Sequence, residues 1–414
     1  MNLPLLSLKS LISKPLTSIL SWLLLTFGVC IVTLILLVSD QLKSEINKNA
    51  AGINMVVGAK GSPLQIILSS IFHIDFPTGN ISLKQADQLS KNRFITSAVP
   101  LSLGDSYRGR RIVGTTIAYP QLYQAQLSQG DWFVEDLEAV IGAEVANELS
   151  LKIGDEFASQ HGLDEAGDDH GHHDFHVVGI MAPTNTVMDR LIIVSVRSVW
   201  LVHEHEEKQH AEEHHLEDSM FYLKRLKLEV TKEELENGAI TSLLLTYKSP
   251  MAAVMLPRTI NAMPDLQAAS PAFETARLFN IIGTGVQVLN ILGMVVVIIS
   301  GISIFIALLN SLKERKYEIA IMRSLGASQS AIFIHVILEG FFLSVLGGIT
   351  GLLVAHIGIG ILGDTIDGLN TEVFFFLYEE VYILLGAIGL GFTASILPAI
   401  FALKTDISTT LSKG

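Results

Sequence analysis

Ten of the thirteen histidines in this 414-residue chain fall in two short tracts. The first, HGLDEAGDDHGHHDFH, holds His161, His170, His172, His173 and His176; the second, HEHEEKQHAEEHH, holds His203, His205, His210, His214 and His215. Both are interleaved with Asp and Glu. Imidazole together with carboxylate is a donor set that suits Zn²⁺, and also Ni²⁺ or Cu²⁺. His210 and His214 are four residues apart, so a helix would set both on one face. The competing reading is a solvated acidic loop in which His is polar filler. The expectation taken forward is metal binding, with Zn²⁺ as the candidate and His170, His172, His173, His176, His203, His205, His210, His214 and His215 as the ligand pool. Metal as cargo, as a sensed ligand or as a delivery from a partner stays open.

Other chemistries lack their residues. A zinc protease needs H-E-x-x-H, with Glu as the base. Four residues after His205 stands Gln209, and His210-Ala-Glu-Glu-His214 has Ala where that Glu must be. The phosphate-cradling G-x-x-x-x-G-K-[ST] pattern does not occur; Gly58-Ala-Lys-Gly-Ser62 has the wrong spacing. No catalytic residue and no cofactor bound by this chain are expected, and so no enzyme. A net charge of −13 disfavours a nucleic-acid partner, which needs a basic surface.

The elements that carry these tracts follow from hydropathy. Charged residues make up 17% of the chain, against about 25% in soluble domains. A transmembrane helix needs roughly 20 apolar residues, and four segments supply them: 16–38, 284–309, 331–359 and 381–403. The first exceeds a signal-peptide core and no small-x-small cleavage site follows it, so it is an anchor. It contains the single cysteine, Cys30. Lys9, Lys14, Lys313, Arg315, Lys316, Arg323, Lys404 and Lys413 are the only basic residues outside 40–280. All lie in the two tails or in the loop 310–330. The loop 360–380 carries Asp364, Asp367, Glu372, Glu379 and Glu380 instead. The positive-inside rule then predicts cytoplasmic termini and an external segment 40–280.

That external segment holds 32 acidic and 20 basic residues. Short apolar or β-branched runs at 111–117, 175–180, 191–196 and 243–247 suit strands. Helical periodicity covers 138–149 and 251–263, the second stopped by Pro264. An α+β domain is expected. The apolar but Gly- and Pro-broken stretch 52–76 is expected to pack on the membrane surface or on the base of the domain. In the third span, Glu339 is expected to face another helix or an interface. Gly340, Gly347, Gly348 and Gly351 suit helix packing, and His335 and His356 suit packed or hydrogen-bonded positions.

Four stretches then carry a family resemblance. KERKYEIAIMRSLGAS (313–328) is close to R-x-x-E-I-A-x-x-R-x-x-G-A-S. LPAIFALKTDISTTL (397–411) looks like P-A-x-x-A-x-x-x-D-P, with Ile407 in place of the last Pro. VIGAEVANELSLKIGDEF (140–157) and VVGIMAPTNTVMDRLIIVSV (177–196) look like the halves of a strand-rich external subdomain. The chain resembles the FtsX/MacB-like permeases of type VII ABC transporters, which include the lipoprotein-releasing Lol permeases. The resemblance implies a membrane protein of four transmembrane α-helices plus a large α+β extracytoplasmic domain. Residues 1–39 would be the tail and first span, 40–280 a MacB-like periplasmic core with His-rich insertions, and 281–414 an FtsX-like domain.

Within that last domain the resemblance makes 313–328 a coupling helix seated on a nucleotide-binding subunit, at Glu318, Arg323 and Gly326. The residues support this on their own. Ile319 lies one helical turn from Met322 and Arg323, as Tyr317, Ile321 and Ser324 lie one turn apart, which gives a short amphipathic helix with Gly326 as its stop. MacB carries its ATPase at its own N-terminus; here a separate ABC ATPase subunit that binds ATP is implied. So are a permease dimer, lipid contact, a periplasmic or outer-membrane partner and a multi-pass location in the bacterial inner membrane. The implied work is mechanotransmission on an external substrate: a lipoprotein, peptide, small molecule or metal-linked cargo. The alternative is an FtsX-like regulator that activates an external hydrolase. A secondary transporter would want ionisable residues at midplane in several spans, and only Glu339 stands out.

Overall fold

Apolar runs too long to end inside a soluble core become four long helices. In chain order the elements are α1 (Leu3–Ser13), α2 (Pro15–Asn49), β1 (Met55–Ala59), α3 (Pro63–Ser70), β2 (Ile81–Ser82), α4 (Leu83–Ser90), β3 (Ile95–Tyr107), β4 (Arg110–Thr115), α5 (Ala118–Leu122), β5 (Leu127–Gly130), β6 (Glu138–Ile141), α6 (Ala143–Leu149), β7 (Glu156–His161), β8 (Asp169–Met181), a 3₁₀ turn (Val187–Arg190), β9 (Ile192–Ser195), α7 (Val196–Glu207), β10 (Phe221–Leu223), β11 (Leu228–Val230), α8 (Lys232–Asn237), β12 (Ala239–Ile240), β13 (Ser242–Tyr247), α9 (Pro250–Asn261), β14 (Leu266–Ala269), α10 (Pro271–Glu314), α11 (Lys316–Ser324), α12 (Gln329–Gly363) and α13 (Tyr378–Leu403). The computed structural model describes residues 3–13, 15–161, 169–207, 220–363 and 376–403, with backbone alone at 161, 169–173 and 204–207. Among these residues α2, α10, α12 and α13 are long and apolar enough to cross a membrane.

The chain divides into two compact units, Glu45–Asn280 and the remainder, and both divisions fall inside helices, α2 and α10. The first unit is built on a ten-stranded mixed sheet in the order β14-β1-β13-β3-β4-β9-β6-β8-β5, with β7 pairing β3 and β8. Strand alternation accounts for its layers. Met55 and Val57 of β1 and Leu243 and Leu245 of β13 enter one core with Leu256 and Ile260 of α9. Val56 and Leu244 enter the opposite core with Ile67, Leu101 and Tyr119. A third core gathers Ile141, Phe157, Phe175 and Val194 under Val199 and Val202 of α7. β14 ends one residue before α10 begins, and its neighbour in the sheet is β1, the first strand after α2 (Val56 opposite Ala269).

Two expectations are corrected here. The stretch 52–76 is integral to the domain and not a membrane-surface segment. It supplies β1, one strand in from the β14 edge of the sheet, and α3, whose Ile66 and Ile67 are buried. A strand covered on both faces reads as an unbroken apolar run, which a broken interfacial segment mimics. The predicted helix 138–149 begins as a strand: β6 pairs β8 in parallel and β9 antiparallel, and only α6 is helical. The change falls at Gly142, where a Cβ would meet the Asp189 carbonyl oxygen at 2.2 Å.

The second unit is a helical bundle held by close approach at small residues. Gly347 and Gly351 of α12 lie against Leu25 and Val29 of α2, and Gly28 of α2 lies against Val297 of α10. Between α12 and α13, Gly340 meets Ser395 while Gly391 meets Ser344.

Candidate coupling site and histidine sites

The connection between α10 and α12 is where a charged residue in one span finds its counterion. α10 ends at Glu314, α11 begins at Lys316, and Arg315 between them turns back into the bundle. One of its Nη atoms stands 3.3 Å from Glu339 Oε1 on α12, and the same group donates to Ser10 Oγ on α1. Its Nε donates to Glu318 Oε2 at 2.8 Å. Glu339 is buried and also lies 3.4 Å from His335 Nε2, one turn earlier on α12. His335 Nδ1 stands 2.8 Å from Ser7 Oγ on α1. One arginine thus ties α1, α11 and α12 through charge-assisted contacts, which strengthen as water is excluded.

α11 is amphipathic as expected. Ile319 and Ala320 are buried with Ile332 and Val336 of α12 and Ala399 and Ala402 of α13. Tyr317, Ile321 and Leu325 are exposed, the last at 82%. Gly326 has φ +98, a left-handed stop after the helix. Glu318 is exposed and paired with Arg315; Arg323 is half-buried on the last turn. Arg315, Ser7 and Ser10 escaped the sequence reading, which counted Arg315 only as a topological charge. The available signal was Glu339, because an acid inside a span needs a cation. Further along α12, His356 Nε2 lies 2.9 Å from Glu380 Oε2 of α13.

In the external unit, Asn49 at the end of α2 is buried and held twice: Tyr123 donates to its carbonyl at 2.9 Å and the Val187 amide to its Oδ1 at 2.8 Å. Tyr123 packs edge-on against Tyr119, whose hydroxyl stands 2.8 Å from His73 Nε2. Burial, then Arg111 and Arg190, push the His73 imidazole down to about 3.

The histidine tracts are partly in view. His176 Nδ1 lies 3.3 Å from Glu156 Oε1, its register partner on β7, and both side chains are more than half exposed. His203 Nε2 lies 3.3 Å from Asp105 Oδ1 on β3, whose side chain is fully buried. His161 on β7 is the register partner of Asp105. His170, His172 and His173 are on β8 and His205 is on α7, described by backbone alone; His210, His214 and His215 lie outside the described residues. Among the described side chains no three His, Cys, Asp or Glu could hold a metal ion.

Residues 18–238 match the MacB-like periplasmic core domain and residues 290–407 match the FtsX-like permease C-terminal domain. The chain belongs to the FtsX/MacB-like permeases of type VII ABC transporters. The crystal structure of the periplasmic region of MacB from Actinobacillus actinomycetemcomitans is similar at 13% identity and a TM-score of 0.33, covering 57% of this chain and 98% of that one. No curated protein sequence matches the chain. FtsX/MacB-family permeases work with an ABC ATPase partner, and this one is a membrane protein with a large extracytoplasmic α+β domain.

Proposed function

We propose that this FtsX/MacB-like chain is the membrane subunit of a transporter that works by mechanotransmission on an extracytoplasmic substrate, driven by a separate ATPase seated on α11. The observation that carries this reading is Arg315. It locks the start of α11 to a buried acid in α12 and to α1, so a displacement of α11 cannot be absorbed locally without breaking a buried ion pair. The exposed Tyr317, Ile321 and Leu325 beside Glu318 give the ATPase an apolar seat with an acidic edge. On this reading both termini and α11 are cytoplasmic. The extracytoplasmic domain receives the motion through α2, whose end is clasped at Asn49, and through α10, which leaves directly from β14. Two permeases and two ATPases form the working assembly.

The test is ATP hydrolysis by the reconstituted complex. Glu318→Ala removes the acidic edge of the seat, and Gly326→Leu places a side chain where φ is +98. Each is expected to lower permease-stimulated hydrolysis towards the rate of the ATPase alone. Wild-type stimulation by both variants would overturn the docking site.

A further inference from the structure

Helix α1 is amphipathic in the reverse of the usual sense. Ser7 and Ser10 are buried, while Leu5, Leu8 and Ile12 are exposed, the last at 72%. At 3.6 residues per turn the three apolar side chains fall within about 60° of one another, and the two serines lie on the opposite side. On a protein surface bathed in water the polar face would be the outer one. We propose that α1 lies along the membrane with Leu5, Leu8 and Ile12 sunk in the cytoplasmic leaflet, where anionic headgroups at Lys9 hold it as a brace on Arg315. Only the name of the leaflet rests on the orientation proposed above, and the test does not use it.

The inner face of α1 is fixed by polar bonds. Ser7 Oγ lies 2.8 Å from His335 Nδ1 and 3.1 Å from the His335 carbonyl oxygen, and Ser10 Oγ accepts from Arg315. These bonds orient the helix on α12 and turn its leucines away from the bundle. Bilayer is the surface that rewards this arrangement, because a helix in the interface buries its apolar face at the acyl boundary. Continuity along the chain supports the choice of lipid over a protein partner. α2 begins two residues after α1 ends, and Leu16, Ile19, Leu20 and Leu23 in its first turns are exposed. In a helix long enough to cross a membrane, such a face meets acyl chains. Charge agrees with an anionic surface. Lys9 is exposed on the apolar side of α1, and no Asp or Glu precedes Asp40 in the sequence. A lysine so placed runs its stem along the acyl boundary and sets its ammonium among the phosphates. Arg315 is then held from two directions: by Glu339 within the bundle, and by Ser10 on a helix that the leaflet anchors.

The experiment uses the full-length permease in nanodiscs of phosphatidylcholine, with or without bromine on the acyl chains. In a Cys30→Ser background, Leu5→Cys, Leu8→Cys and Ile12→Cys each carry a bimane label, and Lys224→Cys is the control on the extracytoplasmic domain. The three α1 labels are expected to lose most of their emission in brominated discs, and the Lys224 label none. Replacing part of the lipid with phosphatidylglycerol is expected to deepen the loss at Ile12→Cys, and Lys9→Gln to remove that gain. The brace is read separately by thermal unfolding. Ser10→Ala is expected to lower the midpoint in the wild-type background and to leave it unchanged in Arg315→Met, since the serine acts through the arginine. Emission at all three α1 positions that survives in brominated discs overturns the proposal, whether water, a second copy or another protein covers the face. So does indifference of the Ile12 label to both phosphatidylglycerol and Lys9→Gln. Equal effects of Ser10→Ala with and without Arg315 would overturn the brace.

Discussion

At the scale of single residues, Arg315 and His73 are the two side chains whose surroundings dictate a measurable cost. Glu339 is buried beside Arg315, so Arg315→Met would remove the arginine that answers a buried carboxylate. Removing one partner of a buried pair costs about 3–5 kcal/mol. Thermal unfolding of the purified permease is expected to show that loss, and the double variant Arg315→Met with Glu339→Leu is expected to recover much of it, since no charge is left unanswered. His73 carries a pH signature. Its folded-state value near 3 lies below the ordinary histidine value of about 6.5. The unfolded chain therefore binds a proton first, and folding stability falls as pH drops from about 6.5 towards 3, by up to about 1.4 kcal/mol per pH unit. His73→Asn suits the positive φ of 56 there. Denaturant unfolding followed by the tryptophans is expected to show a shallower acid slope for this variant. Sequence made Gly326 legible, because a glycine closing an amphipathic segment has one common use. It hid Arg315, because that residue is defined by what lies across from it in space.

At the scale of elements, the four spans were legible because bilayer thickness imposes a length that soluble helices rarely reach. The strands at 111–117, 175–180, 191–196 and 243–247 were legible through β-branched runs, and each falls in a strand or directly beside its end. The stretch 52–76 and the β6 half of 138–149 were misread because burial on both faces erases period-two alternation. α1 carried no strong signal at all, being short and outside the spans. The glycine series was read correctly as packing, and the structure sharpens it into a paired test. A Cβ on Gly391 would meet Ser344 Cβ at 2.3 Å and the Gly340 carbonyl oxygen at 2.8 Å, whereas one on Gly389 meets nothing within 4 Å. Gly391→Ala is expected to destabilise the α12–α13 pair by about 1–3 kcal/mol, the usual cost of overpacking. Gly389→Ala is expected to leave thermal stability unchanged or slightly raised, since Ala favours helix.

At the scale of the whole molecule, orientation is the property that charge placement predicts and cysteine labelling checks. Ser159 is a poor external probe because it is buried on β7; Lys224 is exposed in the turn between β10 and β11. In a Cys30→Ser background, Lys224→Cys is expected to react with impermeant maleimide on intact spheroplasts, and Ser328→Cys only after permeabilisation. Reaction of Ser328→Cys from outside would invert the orientation. The pairing of β1 with β14 has a last consequence for how such a chain can change over time. The chain enters and leaves the external unit through hydrogen-bonded neighbours, β1 and β14, so its two ends are tied together by the unit's own sheet. Lengthening a loop within the unit adds only about 0.6 kcal/mol of closure entropy per doubling, and the β1–β14 pairing that joins the unit's ends stays in place. Surface loops of this unit can therefore lengthen or shorten without disturbing the strand pair at which the chain enters and leaves it.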